Sequence, residues 1–525
     1  MFLRFKPKRW LLAVLPAVLL IAAGCQSIGG VDLSKALMNQ LIVDSVQAKM
    51  DISLKITPDE ATIDNMTTEE QDMLHALNGM KLILDEVKQE NWQKASFKGR
   101  LVLIKGEIGF RGALDAMNLT LQVDGIDAPV VLPLAAQPLT GGEALGLGPL
   151  SSVSNNTELL QNKELAQSMF SLLVKHLPNP SSIKAESVSE TVYGSSSSVQ
   201  LTKIHTEIKA TELLGLFKKL VVGLLKDDTG LKEVIAKVYD VAIAPDLAKG
   251  GTEDDFLGIN ELMKDRELGI EFIHATVKQF LILMVSFAEG DDALGKELNE
   301  MFSDETGMIT DLYFDSSLNL RKTHMAIKLA PSPTVEDTDG ISSIELTMNS
   351  EYWNHNQAVK ADVIDTSGTT PITLDQLDAP SPALLERIDP DSTLYKWLKE
   401  DLHLMKKTVL FDVSEFDYSP EEQKAVYANG IIYVPARYFA DSLGLAQSWD
   451  AASRSLTLSD AMNGTKLTLT VDADNAVLNG QSVDLATPAF NQNGRVYVPL
   501  RFVADAFDAT IVWDNIWETA TVTKE

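Results

Sequence analysis

Asn429-Gly430-Ile-Ile-Tyr433-Val434-Pro435-Ala-Arg437-Tyr-Phe-Ala440-Asp441 returns 64 positions later as Asn493-Gly494-Arg-Val-Tyr497-Val498-Pro499-Leu-Arg501-Phe-Val-Ala504-Asp505. Each occurrence runs on to a Trp-Asp pair, Trp449-Asp450 and Trp513-Asp514. Across the 22 positions from 429 to 450 and from 493 to 514, ten are identical without a gap, which marks an internal duplication. Each copy predicts a small strand, helix, strand unit. Asn-Gly turns the chain, Tyr-Val ends a strand, and the proline fits the first helical position, where its missing N–H costs nothing. Arg437 and Asp441, like Arg501 and Asp505, stand four apart and are expected to pair along the helix. Gly444 suits a helix C-terminus, where the second copy carries Asp508, a poorer but tolerated residue. Trp449 and Trp513 end the second strand and are expected to close the core.

The phrase Tyr-Val-Pro-x-Arg-(Phe/Tyr)-x-Ala-Asp, followed by Trp-Asp and present twice, resembles the copper amine oxidase-like N-terminal domain, or stalk domain, of many bacterial surface proteins. The resemblance extends over roughly residues 407–525 of a C-terminal domain placed at 393–525, with repeats at about 407–460 and 461–525. It implies an α+β, non-catalytic module. The oxidase chemistry of the family's namesake belongs to a separate domain with a modified tyrosine and three copper-binding histidines.

Upstream of this module, residues 356–392 are rich in Asp, Thr, Pro and Ser and hold no sustained period, the composition of a linker. Residues 31–355 read as sheet, helices, sheet, an α+β ectodomain with room for two subdomains. Every even position from Val46 to Ile56 is apolar, which predicts a half-buried strand. Thr67 and Glu70 form a capping-box signature for a short helix through Leu77. Alternation over 97–103 and 117–123, a turn signal at Asp124-Gly125 and an apolar run at 130–132 predict an antiparallel meander with one wet face. Residues 137–157 are loop by composition, and helical spacing resumes over 159–175. A hairpin around Gly194 precedes a helical block over 213–225 and 262–288, and strand-like alternation returns over 318–329 and 344–348. The amphipathic stretch Thr211–Lys226 is expected to pack on a sheet rather than lie on a membrane, because sheets on both sides of it need a covering layer.

At the other end, Arg4, Lys6, Lys8 and Arg9 precede an apolar run from Leu11 to Ala23, the layout of a secretory signal over residues 1–24. The run is too short for a bilayer, which takes about 20 helical residues. It ends on Ile21-Ala22-Ala23-Gly24-Cys25, which resembles the lipobox of bacterial lipoproteins, although Ala22 stands where leucine is commonest. Cys25 is the one cysteine of the chain. These features predict a lipid anchor on Cys25, a short tether over 25–30, and the membrane as first partner, on the extracytoplasmic face. The two chains of a diacylglyceryl group make such attachment stable where one chain is marginal. With no second cysteine, neither an internal disulfide nor a thiolate metal cluster can form.

Loss of the four N-terminal cations would take the formal charge from −29 to −33. Such a surface repels nucleic acid, and no basic stripe offsets it. The seven histidines are scattered, with no His-x-His pair and no His-Glu-x-x-His helix. Asp472-Ala-Asp474-Asn475 lacks the glycine and distal glutamate of a calcium loop. No Gly-x-Ser-x-Gly elbow and no phosphate-cradling glycine loop is present. The expectation is therefore no catalytic residue, no metal and no cofactor. The chain reads as a non-enzymatic, lipid-anchored surface protein whose stalk-type terminal module serves structural or binding interactions at the cell envelope, with a cell-wall polymer or a surface protein as the expected partner. Two other readings stay open: carriage of a hydrophobic ligand by residues 31–355, by analogy with lipoprotein-carrier-like folds, and an accessory role in an enzyme system.

Overall fold

The computed structural model describes residues 27–28, 31–115, 117–133, 162–248, 259–288, 302–332, 340–373, 387–403, 406–414, 419–428, 430–460 and 464–524. Cys25, the signal segment and the loop expected at 137–157 lie outside these residues. The fold is α+β with antiparallel sheets throughout the described strands. It divides into two compact units, one within 1–122 and 132–365, the other within 123–131 and 366–525.

The first unit opens on a two-stranded ribbon of β1 (Ser27–Ile28) and β2 (Val31–Asp32). Its main feature is a sheet of eleven strands. In chain order these are β3 (Val46–Pro58), β4 (Lys81–Asn91), β5 (Lys94–Leu103), β6 (Gly106–Leu114), β7 (Asn118–Val123), β8 (Val130–Pro133), β9 (Ser182–Glu190), β10 (Val199–Lys209), β11 (Gly307–Phe314), β12 (Leu320–Leu329) and β13 (Ile341–Trp353). The spatial order is β8-β7-β6-β5-β4-β3-β13-β12-β11-β10-β9. Two meanders thus meet where β3 pairs with β13, with Leu54 opposite Leu346 and Ile52 opposite Met348.

Alternation gives this sheet two chemically different faces. One row runs Thr206, Thr310, Met325, Met348, Ile52, Leu82, Leu101, Ile108 from β10 to β6. The opposite face carries His205, Asp311, His324, Asn349 and Asp51 in matching positions, tied by His205 Nδ1–Asp311 Oδ1 (2.7 Å), His324 Nδ1–Asn349 Oδ1 (2.7 Å) and Asn349 Nδ2–Asp51 Oδ2 (2.9 Å). Helices cover the apolar side over β10–β12. Leu216 of the helix Ala210–Lys226 sits among Ile208, Met308, Met325 and Ile327. The same helix joins Lys163–His176, Asp228–Val238 and Arg266–Ala288 in a shared apolar layer. Packing on sheet and neighbours, as expected for Thr211–Lys226, accounts for its apolar stripe. Arg266–Ala288 is long and apolar enough to cross a membrane, yet Ile270, Ile273 and Leu281 are buried in this layer. Asp227 fixes one helix junction by accepting from Lys175 Nζ (2.6 Å), His176 Nε2 (2.8 Å) and Gly230 N (3.0 Å). The Lys175 and His176 contacts hold its carboxyl far below the usual carboxylate range.

The capping box forms at Thr67–Glu70, with the helix running Thr68–Asn78. Three strands of the eleven-stranded sheet carried no clear sequence signal, for local reasons. In β4 the register shifts between Leu84 and Glu86, which breaks the alternation. β11 buries Thr310 and Asp311 beside its apolar residues, so polarity there does not report exposure. β6 contains Gly109 and Gly112, the latter directly under the Phe97 ring, where a Cβ would clash.

The segment 356–392, expected to be a linker, makes several contacts at its described residues. Asn356 donates its N–H to Ser45 O (2.7 Å), Ala361 N donates to Glu90 Oε2 (3.0 Å), and Ala361 is buried. In the second unit Ile372 and Ile388 are buried and bridge to Val130 and Ile126, while Arg387 Nε donates to Asp127 Oδ1 (2.8 Å). The boundary between units falls inside this segment, after Asp365. Among the described residues of this segment the contacts are isolated anchors, and single apolar residues leave no period to read.

The second unit has three sheets. β14 (Lys407–Asp412), β25 (Thr519–Lys524) and β24 (Thr510–Asp514) form the first; β15 (Val426–Ala428), β16 (Ile431–Pro435), β23 (Arg495–Pro499) and β22 (Phe490–Gln492) the second. β17 (Ala446–Asp450), β18 (Ser455–Ser459), β19 (Lys466–Thr470), β20 (Asn475–Leu478) and β21 (Gln481–Asp484) form the third. At the centre β16 and β23 pair antiparallel, Tyr433 opposite Pro499, Val434 opposite Val498 and Pro435 opposite Tyr497. Positions related by the 64-residue offset therefore exchange places about Val434 and Val498. One apolar core holds residues from both sides, including Phe439, Leu443 and Leu458 with Val503, Phe507 and Val522.

Candidate functional site

The helices after the two central strands run Ala436–Leu443 and Leu500–Ala506. Pro435 and Pro499 stand one place earlier than expected, as N-cap residues at φ −62° and ψ 117°. That extended ψ ends the strand, and a buried ring at the strand's last position fixes where the helix starts. Gly444 closes the first helix at φ +70°, and Asp508 takes φ +54° after the second.

The shared motif separates into a buried scaffold and an exposed set. Tyr433 and Tyr497 are buried against Phe490, whose ring stacks on Tyr497 at 5.2 Å and meets Tyr433 edge-on at 5.0 Å. Arg437, Asp441, Arg501 and Asp505 all face solvent. The expected Arg–Asp pairs do not form: Asp441 instead accepts from Gln447 Nε2 (2.7 Å). Spacing on a helix makes such a pair possible, while an exposed ion pair contributes too little to enforce it.

The two tryptophans also depart from expectation. Trp449 is 46 % exposed and Trp513 41 % exposed, although each lies opposite a buried core residue, Leu456 and Ala520. Neither is among the residues packed against the core. The aspartate after each tryptophan builds the hairpin turn. Asp450 accepts from Ala452 N (2.9 Å) and Ser453 Oγ (2.6 Å), which keeps its carboxyl below the ordinary range. Asp514 accepts from Ile516 N (2.7 Å) and Trp517 N (3.1 Å), presenting both of those side chains to water.

A groove of about 740 Å³ opens beside the second copy of the motif. Arg501, Asp505 and Trp513 line it, joined by residues that the sequence did not single out, among them Tyr427, Thr487 and Glu518. Tyr427 comes from the edge strand β15 and Trp513 from the edge strand β24, so the groove lies between two sheet edges. Trp513 Nε1 donates to Asn515 Oδ1 (2.8 Å), which satisfies its polar atom and orients the indole. Among the described residues, the side chains of Arg501, Asp505 and Glu518 have no hydrogen-bond or ion-pair partner. Aromatic faces and uncommitted polar groups therefore converge on one cleft of ligand-binding size.

The candidate chemistry elsewhere is taken up structurally. His176, His205 and His324 are bonded to Asp227, Asp311 and Asn349, and Asp472 pairs with Arg454 at 3.0 Å. No group of three or more His, Cys, Asp or Glu placed to hold a metal occurs among the described residues. At the end of β13, Trp353 lies against Tyr193 at 4.2 Å.

Residues 414–522 match the family model of the copper amine oxidase N-terminal domain. No curated protein matches the chain. The matched segment contains the whole groove except Val413.

These exposures separate the two aromatic roles. Phe507→Ala, at a side chain with no exposure, should cost about 3–5 kcal/mol in guanidinium unfolding of the full chain. Trp513→Ala should cost about 1–2 kcal/mol, since its site is open to water and leaves no closed cavity. Equal costs would place the indole inside the core.

Proposed function

We propose that this chain is a non-enzymatic protein anchored through a lipid on Cys25 to the outer face of a bacterial membrane, and that its duplicated C-terminal module is the binding part. The observation that carries this reading is the groove beside Arg501, Asp505 and Trp513, where three charged side chains without partners meet exposed aromatic surface. Folding does not use these groups, and desolvating them against a partner is the role left to them. The N-terminal charge pattern and the lone Cys25 supply the location. The acidic surface disfavours polyanions, so a cell-wall polymer or surface protein of other charge is the partner. Two separate assays test the two halves. On detergent phase partition of solubilised cells, wild-type chain should enter the detergent phase and Cys25→Ser the aqueous phase. Aqueous-phase Cys25→Ser chain should then be retained by isolated envelopes, and the same chain lacking residues 393–525 should not. Partition of Cys25→Ser into the detergent phase contradicts the anchor, and undiminished envelope retention of the shortened chain contradicts the binding module.

A second reading is carriage of a hydrophobic ligand by the first unit. It is favoured by Ile52, Leu54, Leu82, Leu84, Leu346 and Met348, which share the apolar face of the sheet yet are only partly buried. Native mass spectrometry of gently extracted chain should then show a co-purified lipid, and a clean apo mass would count against it.

A further inference from the structure

We infer that the groove of the second unit takes a neutral pyranose glycan, a deepening that rests on the binding role proposed above. The groove offers three aromatic side chains, Tyr427, Phe502 and Trp513, with the indole held by its Nε1 bond to Asn515. Around them stand one guanidinium, Arg501, two carboxylates, Asp505 and Glu518, and Thr487, whose hydroxyl is buried without a hydrogen-bond partner.

This mixture discriminates between ligand classes. A polyanion would meet two carboxylates on a chain of net charge −29 and only one cation, an unfavourable match. A polycation would gain from the carboxylates but would have to bury its charge beside the guanidinium of Arg501. A sugar ring has neither difficulty. Its C–H faces are apolar and lie flat on indole and phenol rings, and its rim of hydroxyls both donates and accepts. Carboxylates accept only and guanidinium donates only, so a cleft holding both kinds, each uncommitted, is complementary to hydroxyls that do both. The volume of about 740 Å³ lies within the range of ligand clefts, and the cleft is partly open to solvent, which suits a chain rather than an enclosed monosaccharide.

Trp449 supplies an internal control. It is the counterpart of Trp513, similarly exposed, and does not line the groove. Titration calorimetry of the purified full chain with cellotetraose and with chitotetraose should give a saturable isotherm for at least one of them. Trp513→Ala and Arg501→Ala should each weaken it by about tenfold, Trp513→Phe should retain most of it, and Trp449→Ala should leave it unchanged. Circular dichroism of each variant verifies the fold, and Trp513→Phe keeps the test decisive if the alanine variant is unstable. Absence of saturable binding to both tetrasaccharides overturns the inference, as does binding indifferent to Trp513→Ala and Arg501→Ala. Binding of octalysine without binding of either sugar assigns the groove to a cationic peptide and likewise overturns it. In each of these cases continued retention by isolated envelopes leaves the binding role standing and removes only the glycan, whereas loss of retention removes both.

Discussion

The antiparallel contact of Tyr433-Val434-Pro435 with Pro499-Val498-Tyr497 organises the C-terminal unit. Val434 and Val498 have no solvent exposure, and the helices that follow them converge on one core. Neither strand–helix segment alone has enough apolar surface to hold a core of this kind, so each is completed by the other. Most other features follow from that contact. The prolines stop the strands where the pairing stops, the helices start at once, and the hairpins that carry Trp449 and Trp513 are pushed to the rim. The groove arises at this rim, where the edge strands β15 and β24 leave a gap between their sheets.

How much of this was readable depends on whether the information is periodic or positional. The alternation from Val46 to Ile56, the Thr67–Glu70 capping box and the Gly194 hairpin repeat a local rule, and the chain follows it. β4 was hidden because a register shift interrupts its period, and β11 because its buried positions include Thr310 and Asp311. Ile372 and Ile388 illustrate the positional case: each anchors its neighbourhood singly, in a composition that otherwise reads as linker. The repeat phrase disclosed which side chains recur but not which way they face. Tyrosine and proline proved structural, and Arg501, Asp505 and Trp513 became groove residues only through Tyr427 and Glu518, which lie outside the aligned stretch or its identities. A site assembled across two sheets has no sequence spacing of its own.

The two units present their chemistry differently. In the first, charged and polar groups on the outer sheet face are bonded to one another across the strands, as with His324, Asn349 and Asp51. Groups so engaged stabilise the sheet and are costly to redirect toward a ligand. In the second, Arg501, Asp505 and Glu518 are left without partners beside the aromatic rings of Tyr427, Phe502 and Trp513. Polar groups that folding leaves uncommitted are the ones a partner can use at low cost. This contrast supports the proposal that recognition belongs to the C-terminal unit and support to the eleven-stranded sheet.

The shared core is the premise on which the groove depends, and native-state hydrogen exchange of the full chain addresses it most directly. If the strands around Val434 and Val498 belong to one cooperative unit, their slowest amides should open with the same free energy and denaturant dependence, and Phe439→Ala should lower both together. Distinct opening energies for the two strands, or a loss of protection confined to residues 431–443 in Phe439→Ala, would contradict the account.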